Sequence, residues 1–191
     1  MTLLHEIFKY ILIIIVIYEA IVTIELKLKR RAEFKKASIR SKETGKKLIV
    51  VGDPYNGIAS KYTGVDYTCG DICVDITGCP GCSNGVKSDL ESYLKSIDLN
   101  EYIIFISCTI EYIPDISGIL EYLNKVPKDN LFIVNVQWYN LVCYYYPNFI
   151  SGELTGSINV MGPNGRYFKN PFQFYSLSSQ DPSVDATVPL M

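Results

Sequence analysis

Residues 102–136 read YIIFISCTIEYIPDISGILEYLNKVPKDNLFIVNV and carry the signals that decide the fold. The run 102–107 is apolar on both faces, which is typical of a central strand in a parallel sheet. The stretch 116–123 has apolar residues at helical spacing, and Asp115 is its predicted N-cap. A second buried strand is predicted at 131–136. Strand, helix and strand in this order predict a parallel βαβ unit.

The residues before this unit continue the alternation. An apolar run at 47–52 ends in the turn-rich sequence GDPYNG at 52–57, which predicts a buried strand followed by a loop. Residues 71–76 alternate between polar and apolar and predict a second strand, and 88–97 has the spacing of an amphipathic helix. These elements predict an α/β fold with a mostly parallel sheet and flanking helices.

The C-terminal part of the chain predicts a different kind of strand pair. Short strand candidates at 158–161 and 166–168 flank the sequence GPNG at 162–165, and Asn-Gly between strands is typical of a hairpin. We expect this antiparallel hairpin at one edge of the sheet. The α/β domain is predicted to cover 47–175, followed by an extended tail at 176–191 that has no periodicity.

An apolar segment precedes the domain. Residues 7–24 are interrupted only by Lys9 and Glu19. Eighteen residues at about 1.5 Å each approach the roughly 30 Å of a hydrocarbon core, so residues 1–25 are predicted to form a single membrane anchor. An amphipathic or buried helix is the alternative. A cleaved signal peptide fits less well, because the basic cluster follows the apolar run.

Charge is segregated along the chain, although the net charge is only −2. Residues 25–47 hold ten lysines and arginines against three glutamates, whereas the residues from 48 onward hold seven basic and fifteen acidic side chains. Residues 26–46 therefore form a predicted basic helical neck, either solvated or lying against anionic headgroups. Basic residues beside a span place the body on the cytosolic side. Nucleic-acid binding is disfavoured because the body is acidic.

Histidine and cysteine limit the chemistry available. The one histidine, His5, lies outside the body, which excludes a Ser-His-Asp mechanism and a His-ligated zinc site there. Four of the six cysteines lie within fourteen residues: Cys69, Cys73, Cys79 and Cys82. The spacing leaves three alternatives open, namely ordinary thiols, a zinc site with four thiolates, and disulfides formed in an oxidising compartment.

Three aspartates lie near predicted strand ends, where open α/β sheets bind their ligands: Asp53, Asp71 and Asp75. Their carboxylates are suited to contact ribose hydroxyls or an ammonium group of a cofactor. Asp-Pro and Gly-Asp pairs are also common in turns, so turn chemistry is an equally good explanation. The sequence leaves both interpretations open.

The stretch 102–136 resembles the central part of class I S-adenosylmethionine-dependent methyltransferases. In that family a strand ends in a small polar residue, and a Leu-Glu-His-like turn, an acidic residue, a helix and another strand follow. Ser107, residues 110–112 and Asp115 occupy those places here. The resemblance covers about half the chain, from Leu48 to Tyr146, and is most specific in 102–136.

The resemblance implies a set of site residues. The cofactor-binding positions would be Gly52, Asp53, Gly57 and Asp75, and in an active enzyme the catalytic positions would be Ser107 and Glu111. The chain departs from the family at its glycine-rich loop, where Pro54 and Tyr55 stand between the outer glycines. The first crossover helix is also shortened or absent, because residues 58–70 are few and rich in Tyr, Thr and Gly. We therefore expect proline and tyrosine to fill the cofactor crevice.

The predicted function follows from that filled crevice. The phrases GDPYNG and CGDICVDITGCPGC, together with the anchor, resemble small membrane-anchored methyltransferase-like proteins of large DNA viruses. This predicts a structural protein without a cofactor. It would tether a lipid membrane, such as a virion inner membrane, to protein partners in a capsid or scaffold. The alternative is an active membrane-bound methyltransferase that uses S-adenosylmethionine.

Overall fold

The structure is a computed structural model that describes residues 2–56, 60, 64–110, 113, 117–135, 148–152 and 165–169. The helices in these ranges are α1 (Thr2–Thr44), α2 (Leu90–Ser96) and α3 (Ser117–Leu123). The strands are β1 (Lys47–Val51), β2 (Ile72–Asp75), β3 (Gly85–Lys87), β4 (Tyr102–Ser107), β5 (Leu131–Val134), β6 (Asn148–Gly152) and β7 (Gly165–Lys169). Short 3₁₀ turns precede β4 and β5, at Leu99–Glu101 and Lys128–Asn130.

The first five strands form one parallel sheet in the order β3-β2-β1-β4-β5. The central strands β1 and β4 are buried along almost their whole length, which explains their continuous apolar sequences. This confirms the predicted α/β class with a parallel sheet and flanking helices. The strand order reverses between β1 and β4, and open sheets bind ligands outside the carboxyl ends of the strands at such a switch point.

One face of the sheet is covered by α2 and α3. Asp89 caps α2, because its carboxylate accepts a hydrogen bond of 2.8 Å from the Ser92 amide. The buried cluster on this face joins strand and helix residues, among them Ile49, Val51, Ile104, Ile106, Leu90, Leu94, Ile119 and Leu123. The apolar side of the amphipathic helix predicted at 88–97 therefore faces the core.

The opposite face is covered by the second half of α1. Ala37 is fully buried, and the Phe34 ring lies 5.4 Å from the Phe105 ring in an edge-to-face arrangement. The cluster on this face also includes Leu48, Val50, Ile103 and Val134. The sequence predicts residues 26–46 as a separate neck. In the structure they pack on the sheet and belong to the α/β domain, because an apolar stripe lies between the basic residues.

The first half of α1 is exposed and apolar. An 18-residue window of the helix has a mean hydropathy of 2.3, with 6% of the window buried. Its exposed side chains include Phe8, Ile11, Ile14 and Ile17. By length and composition this helix can cross a membrane.

Two strand assignments differ from the prediction. The short strand β3 is not predicted, and it joins β2 in parallel after only the residues 76–84, without a helix between them. The antiparallel hairpin pairs β6 with β7 and forms a sheet of its own instead of an edge of the main sheet. Within the described residues, β7 pairs with 148–152. The strand predicted at 158–161 lies outside the described residues.

Several other predictions fall on residues that the structure does not describe. These are the N-cap Asp115, the GPNG turn up to Asn164, the tail at 176–191, and residues 58, 59 and 61–63 of the first crossover.

Candidate functional site

A cavity of about 630 Å³ lies at the switch point, where β1, β2 and β4 end. The sequence predicts that Pro54 and Tyr55 fill this crevice, and the structure corrects that expectation. Pro54 is buried in the cavity wall, whereas the Tyr55 ring packs on the loop at Gly81, where a Cβ atom would lie 2.5 Å from the ring. The loop after β1 therefore folds around an open space. Its volume is in the range of small-molecule sites.

Gly52 brings the backbone to the edge of this cavity. It follows β1 with a φ of +98°, a conformation that favours glycine. A Cβ atom at this position would lie 2.8 Å from Thr109 Oγ1 and 3.1 Å from the Ser107 carbonyl oxygen. The close approach of the two loops, after β1 and after β4, requires the missing side chain.

Asp53 and Asp75 both line the cavity and both shape its loops. The Asp53 carboxylate accepts a hydrogen bond of 2.9 Å from the Tyr55 amide. One Asp75 oxygen accepts from the Asp53 amide at 3.1 Å, and the other accepts from the Thr77 amide and hydroxyl at 2.8 Å and 2.7 Å. Asp53 and Asp75 therefore line the cavity and also stabilise turns, so the two interpretations left open by the sequence are compatible.

Asp71 is placed elsewhere. Its carboxylate accepts a hydrogen bond of 2.8 Å from the Leu48 amide, at the amino end of β1. This aspartate therefore supports the opposite end of the sheet and takes no part in the cavity. Gly57 and Glu111, the remaining predicted site residues of this region, lie outside the described residues.

Ser107 ends β4 and contributes a buried hydroxyl to the cavity wall. The residue is 4% exposed, and its hydroxyl lies beside that of Tyr67. The neighbouring Tyr67 is also buried, and this burial raises its pKa to about 12, although the nearby Ser107 side chain opposes the increase. A buried hydroxyl in a cavity wall retains an oxygen that can accept a hydrogen bond from a ligand.

Arg30, in the second half of α1, reaches the same cavity. Its guanidinium lies 3.4 Å from an Asp66 oxygen and 3.1 Å from the Cys108 sulfur. Burial alone would lower the pKa of Arg30, but the electrostatic interaction and the hydrogen bond with Cys108 raise the pKa above its ordinary value. The sequence prediction missed this residue because it lies among ten basic side chains. Its spacing of four and seven from Phe34 and Ala37 is the signal that could have found it.

The charges around the cavity are unequal. Besides the one guanidinium of Arg30, the charged residues of its wall are carboxylates: Asp53, Asp66, Asp75, Asp89 and Glu91. Asp66 is engaged with Arg30 and with Lys27 at 3.2 Å, and Glu91 is paired with Lys95 at 2.6 Å. Asp53, Asp75 and Asp89 therefore set the charge offered to a ligand. The hydrogen bond from Ser92 lowers the pKa of Asp89, which keeps this carboxylate ionised. The cavity is therefore suited to a cation.

The four clustered cysteines form two disulfides, Cys69–Cys82 and Cys73–Cys79. Of the three alternatives left open by the sequence, the structure has the disulfides, and paired sulfurs are not the thiolates that bind zinc. Within the described part of the chain, no group of three or more His, Cys, Asp or Glu residues is arranged to hold a metal ion. The disulfides hold the loop between β2 and β3, which begins at the cavity-lining Ile76 and Thr77.

Comparison of the chain with protein-family models, with curated proteins and with solved structures finds no match. The class of the protein is therefore defined by its own fold and site. It is an α/β protein with a five-stranded parallel sheet, a long apolar N-terminal helix and a cavity at the switch point. The resemblance to methyltransferases stays a prediction.

Proposed function

We propose that this chain is a membrane-anchored binding protein whose switch-point cavity takes a cationic, hydroxyl-bearing small molecule of the S-adenosylmethionine type. The observation that carries the proposal is the cavity itself. It brings together Gly52, Asp53, Asp75 and Ser107, four of the residues that the sequence marks as site candidates. The long apolar helix supports the anchor.

The charge of the cavity supports this class of ligand. Asp53 and Asp75 are placed at the ends of adjacent strands, where carboxylates bind the hydroxyls of a ribose in open α/β sheets. A sulfonium or ammonium group is attracted by the same carboxylates, whereas a polyphosphate would be repelled by them. The negative charge of the cavity therefore favours a nucleoside with a positive charge over a nucleotide.

The structural role predicted from the sequence, with capsid or scaffold partners in a virion, stays a prediction. It depends on a filled crevice, whereas the described residues enclose an open one. Methyl transfer also stays a prediction, because Glu111 lies outside the described residues.

Isothermal titration of the full chain in detergent with S-adenosylmethionine tests the proposal. We expect micromolar binding to the unchanged protein and roughly tenfold weaker binding, a loss of about 1.4 kcal/mol, to Asp53→Asn. The amide oxygen of the new side chain can still accept from the Tyr55 amide, so the turn is preserved while the charge is lost.

Asp98→Asn is the matched control. Asp98 also accepts a hydrogen bond from the amide two residues on, at 3.0 Å, but it lies before β4 at the opposite end of the sheet. Binding to this variant should equal that to the unchanged chain. No heat of binding at millimolar S-adenosylmethionine, or equal affinities in both variants, would contradict the proposal.

A further inference from the structure

The direction of α1 decides which end of the domain faces the membrane. Arg30 contacts Cys108, just after β4 ends, and Phe34 contacts Phe105 in the middle of that strand. Further along the helix, Arg40 lies 3.9 Å from Asp129, before β5 begins. The helix therefore runs antiparallel to the strands, and its N-terminal half extends beyond their carboxyl ends.

The cavity accordingly lies at the same end of the domain as the apolar segment. Arg30, in the cavity wall, follows the end of that segment at Ile24 by six residues, which is about 9 Å along a helix. The headgroup region on each side of a hydrocarbon core is about 5–8 Å thick. With α1 inserted in a bilayer, the cavity is next to the headgroup layer.

Charges of both signs meet at this junction. Arg31 lies between the apolar segment and the domain. Its side chain is 53% exposed, and its Nε lies 3.6 Å from the buried Asp66 carboxylate. The cavity beside it offers mainly carboxylates, and the buried hydroxyl of Ser107 also lines the wall. A basic surface next to an acidic cavity complements a zwitterion whose phosphate and ammonium are a few ångströms apart.

We propose that the cavity receives the amine of a zwitterionic phospholipid headgroup from the bilayer that holds α1, with the phosphodiester against the exposed Arg31 side chain. This inference rests on the proposed function in that it treats the cavity as a ligand site. It adds a membrane lipid as the second ligand, beside the soluble cation.

Photo-crosslinking in vesicles tests the lipid contact. A benzophenone amino acid is placed at Asn56, an exposed residue of the cavity wall, and in a matched variant at Asn100, an exposed residue at the opposite end of the sheet. Thr77, also exposed at the cavity, is the second position if the first variant fails to fold. Vesicles contain phosphatidylethanolamine, phosphatidylcholine or phosphatidylglycerol, and lipid adducts are measured by mass spectrometry.

We expect lipid adducts at least fivefold more frequent at Asn56 or Thr77 than at Asn100, and more frequent with either amine lipid than with phosphatidylglycerol. Equal adduct formation at both ends of the sheet would overturn the membrane-facing placement. Equal formation with phosphatidylglycerol would overturn recognition of the amine.

The unchanged chain is titrated with S-adenosylmethionine in detergent, which separates the two proposals. Binding of the soluble cation without lipid adducts contradicts the lipid inference and leaves the proposed function standing. Adducts at the cavity without binding of the soluble cation contradict the proposed function and support the lipid contact.

Discussion

Gly52 is the residue at which the fold and the cavity depend most directly on one another. Its positive φ and the contact with Thr109 both require the absence of a side chain. Gly45, which follows α1, also has a positive φ, but a Cβ atom there would meet nothing within 4 Å. A side chain at Gly45 would meet only backbone strain, whereas a side chain at Gly52 would meet both backbone strain and steric crowding.

Replacement of these glycines by alanine should give different losses of stability. Gly45→Ala should lower the free energy of unfolding by about 1 kcal/mol, the cost of a left-handed conformation for an L residue. Gly52→Ala should cost a further 1–3 kcal/mol or so, because the added methyl group crowds Thr109 and the Ser107 carbonyl. Urea unfolding of both variants measures the difference. Equal losses would show that the two loops do not approach each other this closely.

Tyr67 provides a test by pH. Burial raises its pKa to about 12, above the value of about 10 of an unfolded tyrosine. Its contribution to stability is therefore fully present below about pH 10 and is lost as the pH rises towards 12. Thermal unfolding between pH 9 and 12 should show a steeper loss for the unchanged chain than for Tyr67→Phe. Tyr55→Phe, at an exposed tyrosine, should follow the unchanged chain, and a similar loss in all three proteins would contradict the burial of Tyr67.

Among the elements, α1 is one continuous helix, although the sequence predicts an anchor at 1–25 and a separate neck at 26–46. Its first half is exposed and apolar, and its second half covers one face of the sheet through Phe34 and Ala37. The boundary predicted at residue 46 therefore cuts through the core. The covered strand residues include Leu48 and Phe105.

Truncation tests this description of α1. A chain of residues 26–191 should be monomeric and should unfold cooperatively, whereas residues 46–191 should aggregate because the apolar face of β1 and β4 is exposed to water. Size-exclusion chromatography and circular dichroism compare the two. A monomeric 46–191 chain with an unchanged unfolding midpoint would show that the helix is only a linker.

The elements that sequence reasoning predicts best are those with a strong local pattern. The strands at 47–52 and 102–107 are continuous apolar runs, and both are central in the sheet. The strand at 85–87 has three residues, too few for a periodicity, and its pairing depends on the disulfide loop before it. The open cavity could not be predicted, because the direction of the Tyr55 ring is set by a contact with Gly81, a residue distant in sequence.

Only part of the candidate site could be predicted from the sequence. Asp53 lies two residues after β1 and Asp75 is the last residue of β2, so the position of the strand ends brings them together. Arg30 reaches the cavity only because α1 packs antiparallel to β4, a tertiary arrangement with no local signal. Side chains carried by a neighbouring layer are thus the part of the site that sequence patterns miss.

At the scale of the whole molecule, two features bear on the side of the membrane that the body occupies. The basic residues after the apolar segment predict the cytosolic side, whereas disulfides persist in oxidising compartments. The orientation stays a prediction, and the state of the cysteines in the native membrane is the relevant observation.

Thiol alkylation before digestion measures that state. The tryptic peptide 62–87 contains all four clustered cysteines and no internal lysine or arginine. With both disulfides intact, this peptide should carry no alkyl group until it is reduced, and four afterwards. Four alkyl groups before reduction would contradict the disulfides and agree with a cytosolic body.

The cavity at the carboxyl ends of the strands is the proposed ligand site of a membrane-anchored domain. The most direct measurement is a nuclear magnetic resonance titration of the isotope-labelled full chain in lipid nanodiscs with S-adenosylmethionine. We predict saturable shifts of the backbone amides of Gly52, Asp75 and Ser107, and no shifts at Asp98 and Asn100, at the opposite end of the sheet. No shift at millimolar ligand, or shifts concentrated around Asp98, would contradict the account.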